Sequence, residues 1–166
     1  MLTTAQGSRL SQAEAEAFLF HQAESIDTRN FASWLDCFVP EATYWIPARI
    51  DHTDPKAQPS FMYDDVPTMV ARCERLLDQG TGGQQPSTRS SHVVSNVRVV
   101  DAGNENEAVV RSRFHVTQFR RDVLRFYAGS FTHHLVSTGA GWKIRSQRVD
   151  LIDCDGIHDA ILQVYL

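Results

Sequence analysis

The sequence predicts an α+β fold, helices first and an antiparallel sheet after them, on three observations. Apolar residues recur at helical spacing through the first half. Two-residue alternation takes over in the second half, and turn sequences separate its segments. At 166 residues the chain is most economically one domain, 1–166, able to bury roughly 70% of its extended surface without disulfides or metals.

The first helix is predicted from Ser11-Gln12-Ala13-Glu14, a capping box in which each partner satisfies the other's orphan amide. Phe18, Leu19, Gln22, Ala23 and Ile26 then fall on one stripe. A second helix is predicted from Phe31, Trp34, Leu35 and Phe38, ended by Pro40. Ala42–Ile46 reads as a strand stopped by Pro47. Residues 48–63, rich in Pro, Asp, Lys and Gln, read as a loop. Asp65 suits the N-cap of a third helix with Pro67 in its first turn, Val66, Met69, Val70, Cys73, Leu76 and Leu77 as its stripe, and Gly80 as its stop. Its Arg72 and Arg75 are expected on a solvated face. Residues 81–90 form another loop.

Four strands are predicted at about 92–100, 106–120, 123–137 and 141–152. The turns Asp101-Ala102-Gly103-Asn104 and Thr138-Gly139-Ala140-Gly141 join the outer pairs. In the second of these strands Ala108, Val110, Ser112, Phe114 and Val116 share one face, and Arg111, Arg113, His115 and Thr117 the other. Long strands with a face of mixed polarity suggest a curved sheet covered partly by another chain. Arg111 and Arg113 are then candidates to meet carboxylates across an interface.

Composition narrows the function. A net charge of −4 argues against a nucleic-acid partner. No stretch reaches the ~18 apolar residues of a membrane span, and MLTTAQGSRLSQ has no signal-peptide pattern. A cytoplasmic protein with reduced, mostly buried Cys37, Cys73 and Cys154 is expected. A Rieske cluster needs paired Cys and His ligands, and no cysteine here has a histidine two residues on. His133 and His134, adjacent on a strand, point to opposite faces. No metal and no cofactor is expected in this chain. Acid–base chemistry is the open alternative: Asp27, Tyr44, His92, His115 and His133 are candidates to line a cone between helices and sheet.

Several segments resemble one family. Tyr63-Asp64-Asp65, Met69, Arg72, Arg75-Leu76 and Gly80, followed by Pro86-Ser87, Arg89 and His92-Val93-Val94-Ser95-Asn96-Val97, are similar to the small (β) subunits of aromatic-ring-hydroxylating dioxygenases. So are Trp34-Leu35-Asp36-Cys37-Phe38 leading to Tyr44-Trp45-Ile46-Pro47, and Trp142-Lys143-Ile144-Arg145 through Arg148 to Leu151 and Asp153. The resemblance spans about residues 14–153. It implies a cone-shaped fold of the NTF2-like (cystatin-like) type and a structural, non-catalytic role in aromatic compound catabolism. It also implies hexamers of three large and three small subunits, with the Rieske [2Fe–2S] cluster and mononuclear iron in the partner α subunit. Self-association as a trimer is expected through strand faces and the apolar segment Ile161–Leu166.

On this reading His92 and Asn96, sharing a strand face by parity, are buried architectural groups, with Asp64, Asp65 and Arg89 as candidate partners. The rival is a free-standing dehydratase, isomerase or cyclase of the same fold using a His with an Asp or Tyr in the cone, with His92, Asp27, Tyr44 and His115 as the candidates. A third possibility is a ligand-binding module without chemistry.

Overall fold

A computed structural model describes residues 9–78, 80, 85–101 and 104–166. The predicted turn at 101–104 and loop at 81–90 fall partly outside the described residues.

Among the described residues three helices, α1 (Gln12–Asp27), α2 (Phe31–Leu35) and α3 (Val66–Leu77), accompany six strands. These are β1 (Phe38–Pro47), β2 (Ser60–Asp65), β3 (Arg89–Asp101), β4 (Glu107–Arg120), β5 (Val123–Thr138) and β6 (Gly141–Leu151). They form one sheet in the order β2-β1-β6-β5-β4-β3. Neighbours run antiparallel except β1 beside β6, which is parallel. The sheet is therefore mixed, because the chain enters it at β1, leaves through α3 and returns at the opposite edge.

Local chemistry explains the element ends. Ser11 and Glu14 close the capping box of α1. Asp65 caps α3, accepting from Thr68 N at 3.0 Å and Thr68 Oγ1 at 2.6 Å. The second helix stops at Leu35, earlier than its apolar spacing suggests, and Phe38 already belongs to β1. Pro40 is tolerated inside that strand because the β1–β6 register breaks between Phe38 and Thr43, where its missing amide leaves no ladder bond unmade. The segment expected as a loop to residue 63 ends in β2, a short outer strand.

Strand β4 buries Ala108, Val110, Ser112, Phe114, Val116 and Gln118 on its inner face and exposes Arg111, Arg113 and His115 on the other. Strand β3 departs from simple parity. Asn96 has φ 54° and sits in a bulge, two residues opposing one between Ser95 and Arg98. Asn tolerates the left-handed region better than most side chains, and the bulge adds bend and twist. Asn96 is consequently exposed and does not share the face of His92, which corrects the parity argument.

At Gly129 a Cβ would meet Asp150 O at 2.0 Å and the Phe114 ring at 3.0 Å. Only glycine lets β5 and β6 approach this closely. The core between helices and sheet holds Leu19, Trp34, Tyr44, Ile46, Met69, Phe114, Leu135 and Ile144, all fully buried. Residues 164–166 join them: Val164, Tyr165 and Leu166 are buried in their own chain.

Candidate functional site

Asp27 and His92 lie 65 residues apart and meet where the end of α1 faces the start of β3. Arg29, at φ 58°, turns the chain out of the helix and donates to Leu76 O at 2.6 Å, holding that corner in place. The Asp27 carboxylate accepts from Ser90 Oγ at 2.7 Å, from His92 N at 2.7 Å and from His92 Nδ1 at 2.6 Å. Burial raises the Asp27 pKa, but the bonds and charge of His92, with the hydrogen bond from the Ser90 hydroxyl, outweigh it and hold the carboxyl below its usual range. Near the other end of β3, Gln12 of α1 donates to Val97 O at 2.7 Å and accepts from Val99 N at 3.4 Å.

With the carboxylate on Nδ1, the other ring nitrogen of His92 is left without a partner. This is the geometry of an acid–base pair. Its surroundings are not those of an active site. The His92 side chain is 1% exposed. It borders a cavity of about 10 Å3 whose other walls include Leu19, Ile26, Val94, Phe131 and Leu166. Such a space holds about one water, and no organic substrate.

Residues 164–166 fill the rest of the cone. Tyr165 stacks on Trp34 at 4.2 Å and meets Tyr44 edge-on at 4.8 Å. Its hydroxyl donates to Asp64 Oδ2 at 2.7 Å. Asp64 also receives a two-pronged bond from Arg72 Nε at 2.8 Å and Nη2 at 3.1 Å. The Tyr44 hydroxyl donates to Leu166 O and accepts from Leu166 N, both at 3.1 Å. Burial pushes both tyrosine hydroxyls well above their ordinary values, so they stay protonated.

Several expectations are corrected here. None of Asp64, Asp65 and Arg89 touches His92: Asp64 anchors Tyr165, Asp65 caps α3, and Arg89 lies over the Phe119 ring at 4.7 Å. Arg72 is the ion-pair partner of a buried carboxylate and not a solvated charge. Tyr44 packs under residues 164–166, and His115 faces outward on β4, so neither joins the pair. Residues 164–166 are spent inside their own cone, leaving Ile161, 87% exposed, as the apolar group of that segment open to a neighbour.

Sequence reasoning missed a neutral polar chain in the core. His133 Nε2 contacts Gln22 Oε1 at 3.1 Å, and Gln22 Nε2 donates to Gln147 Oε1 at 2.6 Å. All three residues are at least 95% buried. Gln22 on the apolar stripe of α1 was the visible signal; its partners, over a hundred residues on, were not.

The outer face of the sheet is cationic. Arg98 of β3 stands directly opposite Arg111 of β4, with Arg113 beyond it, along a groove of about 690 Å3 that also takes in Asn96, Ser130 and Thr132. Like charges directly opposite destabilise a sheet unless countered. Among the described residues these three arginines make no ion pair, whereas Arg148 across the groove is paired with Asp150 at 2.8 Å. Among the described residues no group of three or more His, Cys, Asp or Glu side chains could hold a metal ion. The three cysteines are buried and free, and burial pushes the thiols of Cys37 and Cys73 up to about 11 and about 12. No helix among the described residues is long and apolar enough to cross a membrane.

Comparison with known proteins identifies a family. A family model described as ring hydroxylating beta subunit matches residues 21–155. The 2-halobenzoate 1,2-dioxygenase small subunit of Burkholderia cepacia is 30% identical over 91% of this chain and 93% of that protein. Among solved structures, the β subunit of a benzoate 1,2-dioxygenase from Burkholderia mallei ATCC 23344 has a TM-score of 0.74 at 24% identity, covering 93% of this chain and 99% of that one. A chain of naphthalene 1,2-dioxygenase with indole in its active site has a TM-score of 0.80 at 20% identity, covering 93% and 85%.

Proposed function

Since the chain belongs to the ring-hydroxylating beta subunit family, we propose that it is the non-catalytic small subunit of a multicomponent aromatic-ring dioxygenase. Its partner is a large subunit carrying a Rieske [2Fe–2S] cluster and a mononuclear iron, in a hexamer built on a trimer of this chain. The reaction is then the oxidation of an aromatic ring in a catabolic route, performed in the partner. This chain holds the assembly together.

The observation that carries this reading is the filled cone. An acid–base pair that opens on about 10 Å3 has no place for a substrate, whereas the outer face offers Arg98, Arg111 and Arg113 without an ion pair among the described residues. We assign those arginines to the interface, where carboxylates of a neighbouring copy would neutralise the like-charge pairing of Arg98 and Arg111. His92 and Asp27 then serve architecture, tying α1 to β3.

A dehydratase or isomerase using Asp27 and His92 is the competing reading, favoured by the 2.6 Å contact between them. One experiment separates the two. His92→Ala is co-expressed with the large subunit, and thermal melting, hexamer yield and turnover per assembled complex are measured. The architectural role predicts a loss of about 1–3 kcal/mol in stability with turnover within a few-fold of wild type. A stable, fully assembled variant whose turnover falls about 100- to 10,000-fold refutes the proposal. In parallel, Arg111→Glu with Arg113→Glu should lower the assembled fraction without lowering the melting temperature of the isolated chain, where Arg98 then faces a carboxylate.

A further inference from the structure

Beside the β4–β5 turn the inner face of the sheet forms a hollow of about 350 Å3. Register places Gln118 directly opposite Arg125 and Val116 opposite Tyr127. The alternation that buries Val116 therefore turns Gln118 inward with Arg125 beside it. Arg120 and Arg121 complete the polar rim. Val123, Tyr127 and Val164 supply an apolar wall.

Two donors here are unsatisfied. Gln118 is 8% exposed, and its Nε2 has no hydrogen-bond partner. Arg125 Nε is likewise buried without one. Asp159 Oδ1 lies 3.7 Å from it, beyond hydrogen-bonding range, on a side chain 85% exposed. Buried polar groups are almost always paired, so two adjacent orphans facing one hollow are the mark of a site shaped for an acceptor. Among the described residues that line the hollow none is a carboxylate. Desolvation, then the charges of Arg121 and Arg125, pull the Arg120 guanidinium below its ordinary value, the direction expected where cations crowd together. The two-residue turn beside it places Arg121 and Asp122 in left-handed conformations, at φ 51° and 60°, as a tight hairpin between Arg120 and Val123 requires.

We propose that this hollow is a binding site for a small organic carboxylate. The carboxylate accepts from Gln118 Nε2 and the Arg125 guanidinium, with Arg120 and Arg121 supplying charge at the rim, and an apolar or aromatic body rests on Val123, Tyr127 and Val164. The size suits a small ligand, near the lower end of the roughly 300–1,000 Å3 of ligand pockets. A mixed wall of this kind selects an amphipathic anion over an inorganic one. The site is separate from the filled cone and from the outer arginines, and it does not depend on the subunit reading.

The test is calorimetric titration of the full chain, alone and assembled with its large subunit, at fixed ionic strength. Three probes are compared: benzoate, benzyl alcohol (the same ring uncharged) and inorganic phosphate. Benzoate should bind saturably, with the other two at least tenfold weaker. Gln118→Leu and Arg125→Met should each weaken benzoate at least tenfold. Gln118→Leu should leave the melting temperature of the unliganded chain unchanged or raised, because it removes an unpaired donor. If either inner variant fails to fold, Arg121→Ala on the exposed turn and the shift of the Gln118 side-chain amide resonances during titration decide instead. Equal binding of phosphate or of benzyl alcohol overturns the ligand class. Absence of saturable benzoate binding, or wild-type affinity in the folded variants, overturns the site. Binding by the isolated chain that disappears in the assembled oxygenase also overturns it, since a side chain of the partner would then occupy the hollow.

Discussion

Acidification should reveal His133. Its ring is fully buried among apolar and amide groups, with Nε2 against Gln22 Oε1 at 3.1 Å and Nδ1 without a partner. The amide oxygen makes Nε2 the protonated nitrogen, so a second proton would have to sit on Nδ1 with nothing to accept it. Burial accordingly pushes the His133 pKa down to about 3. Unfolded, the ring protonates near pH 6.5. Between about pH 6.5 and 3 the unfolded chain thus binds one more proton than the folded one, and stability falls as pH falls. The slope is about 1.4 kcal/mol per pH unit, so roughly 3 kcal/mol is lost between pH 6.5 and 4.5, against the 5–15 kcal/mol of an ordinary domain. Urea unfolding of wild type and His133→Met from pH 7.5 to 4.5 measures it. Methionine fills the space without titrating but leaves Gln22 Oε1 unpaired, costing about 1–3 kcal/mol at pH 7.5. The two stability curves should cross one to two pH units below 6.5. Carboxylates contribute in both proteins and cancel in the difference. Parallel curves, or a His133 ring that titrates near its ordinary value by NMR, would refute the reasoning.

Other substitutions test the packing. Tyr165→Ala removes the ring stacked on Trp34 and the hydroxyl bonded to Asp64; it should cost about 3–5 kcal/mol, and a loss under about 1 kcal/mol in urea unfolding would mean that residues 164–166 do not fill the cone in solution. Arg72→Met leaves the Asp64 carboxylate, 5% exposed, without its cation, so a loss of about 3 kcal/mol is expected, partly recovered when Asp64→Asn is added; full additivity of the two changes would argue against the pair. Gly129→Ala drives a methyl into the Asp150 carbonyl and should lower stability by at least about 1–3 kcal/mol, read as a drop in melting temperature.

Legibility in the sequence followed the range of the interaction. The capping box at Ser11–Glu14, the Asp65 cap and the alternation of β4 are local, and each is found where the sequence places it. His133 and His134 do point to opposite faces, one buried and one exposed. Strand β2 was hidden because Ser60–Asp65 is short, partly polar and held chiefly by pairing with β1. The Asn96 bulge defeated parity because alternation assumes that no residue is extra. For the candidate site, the types were visible but the partners were not. Asp27 and His92 were both singled out, yet nothing along 65 intervening residues says that they meet. The apolar character of residues 161–166 was plain; whether it is spent inside the chain or against a neighbour depends on tertiary structure alone.

Strand β3 lies at an outer edge of the sheet, and a bare edge invites another chain to zip onto it strand by strand. Asp27 takes up the His92 amide, and Gln12 occupies the Val97 carbonyl and the Val99 amide. Helix α1 therefore works as a cover strip, blocking two stretches of the edge where an incoming strand would have to bond. A strand of another chain is thereby kept from adding to β3 at these two stretches. Stripping both side chains would expose the ladder and open that edge to strand-by-strand association.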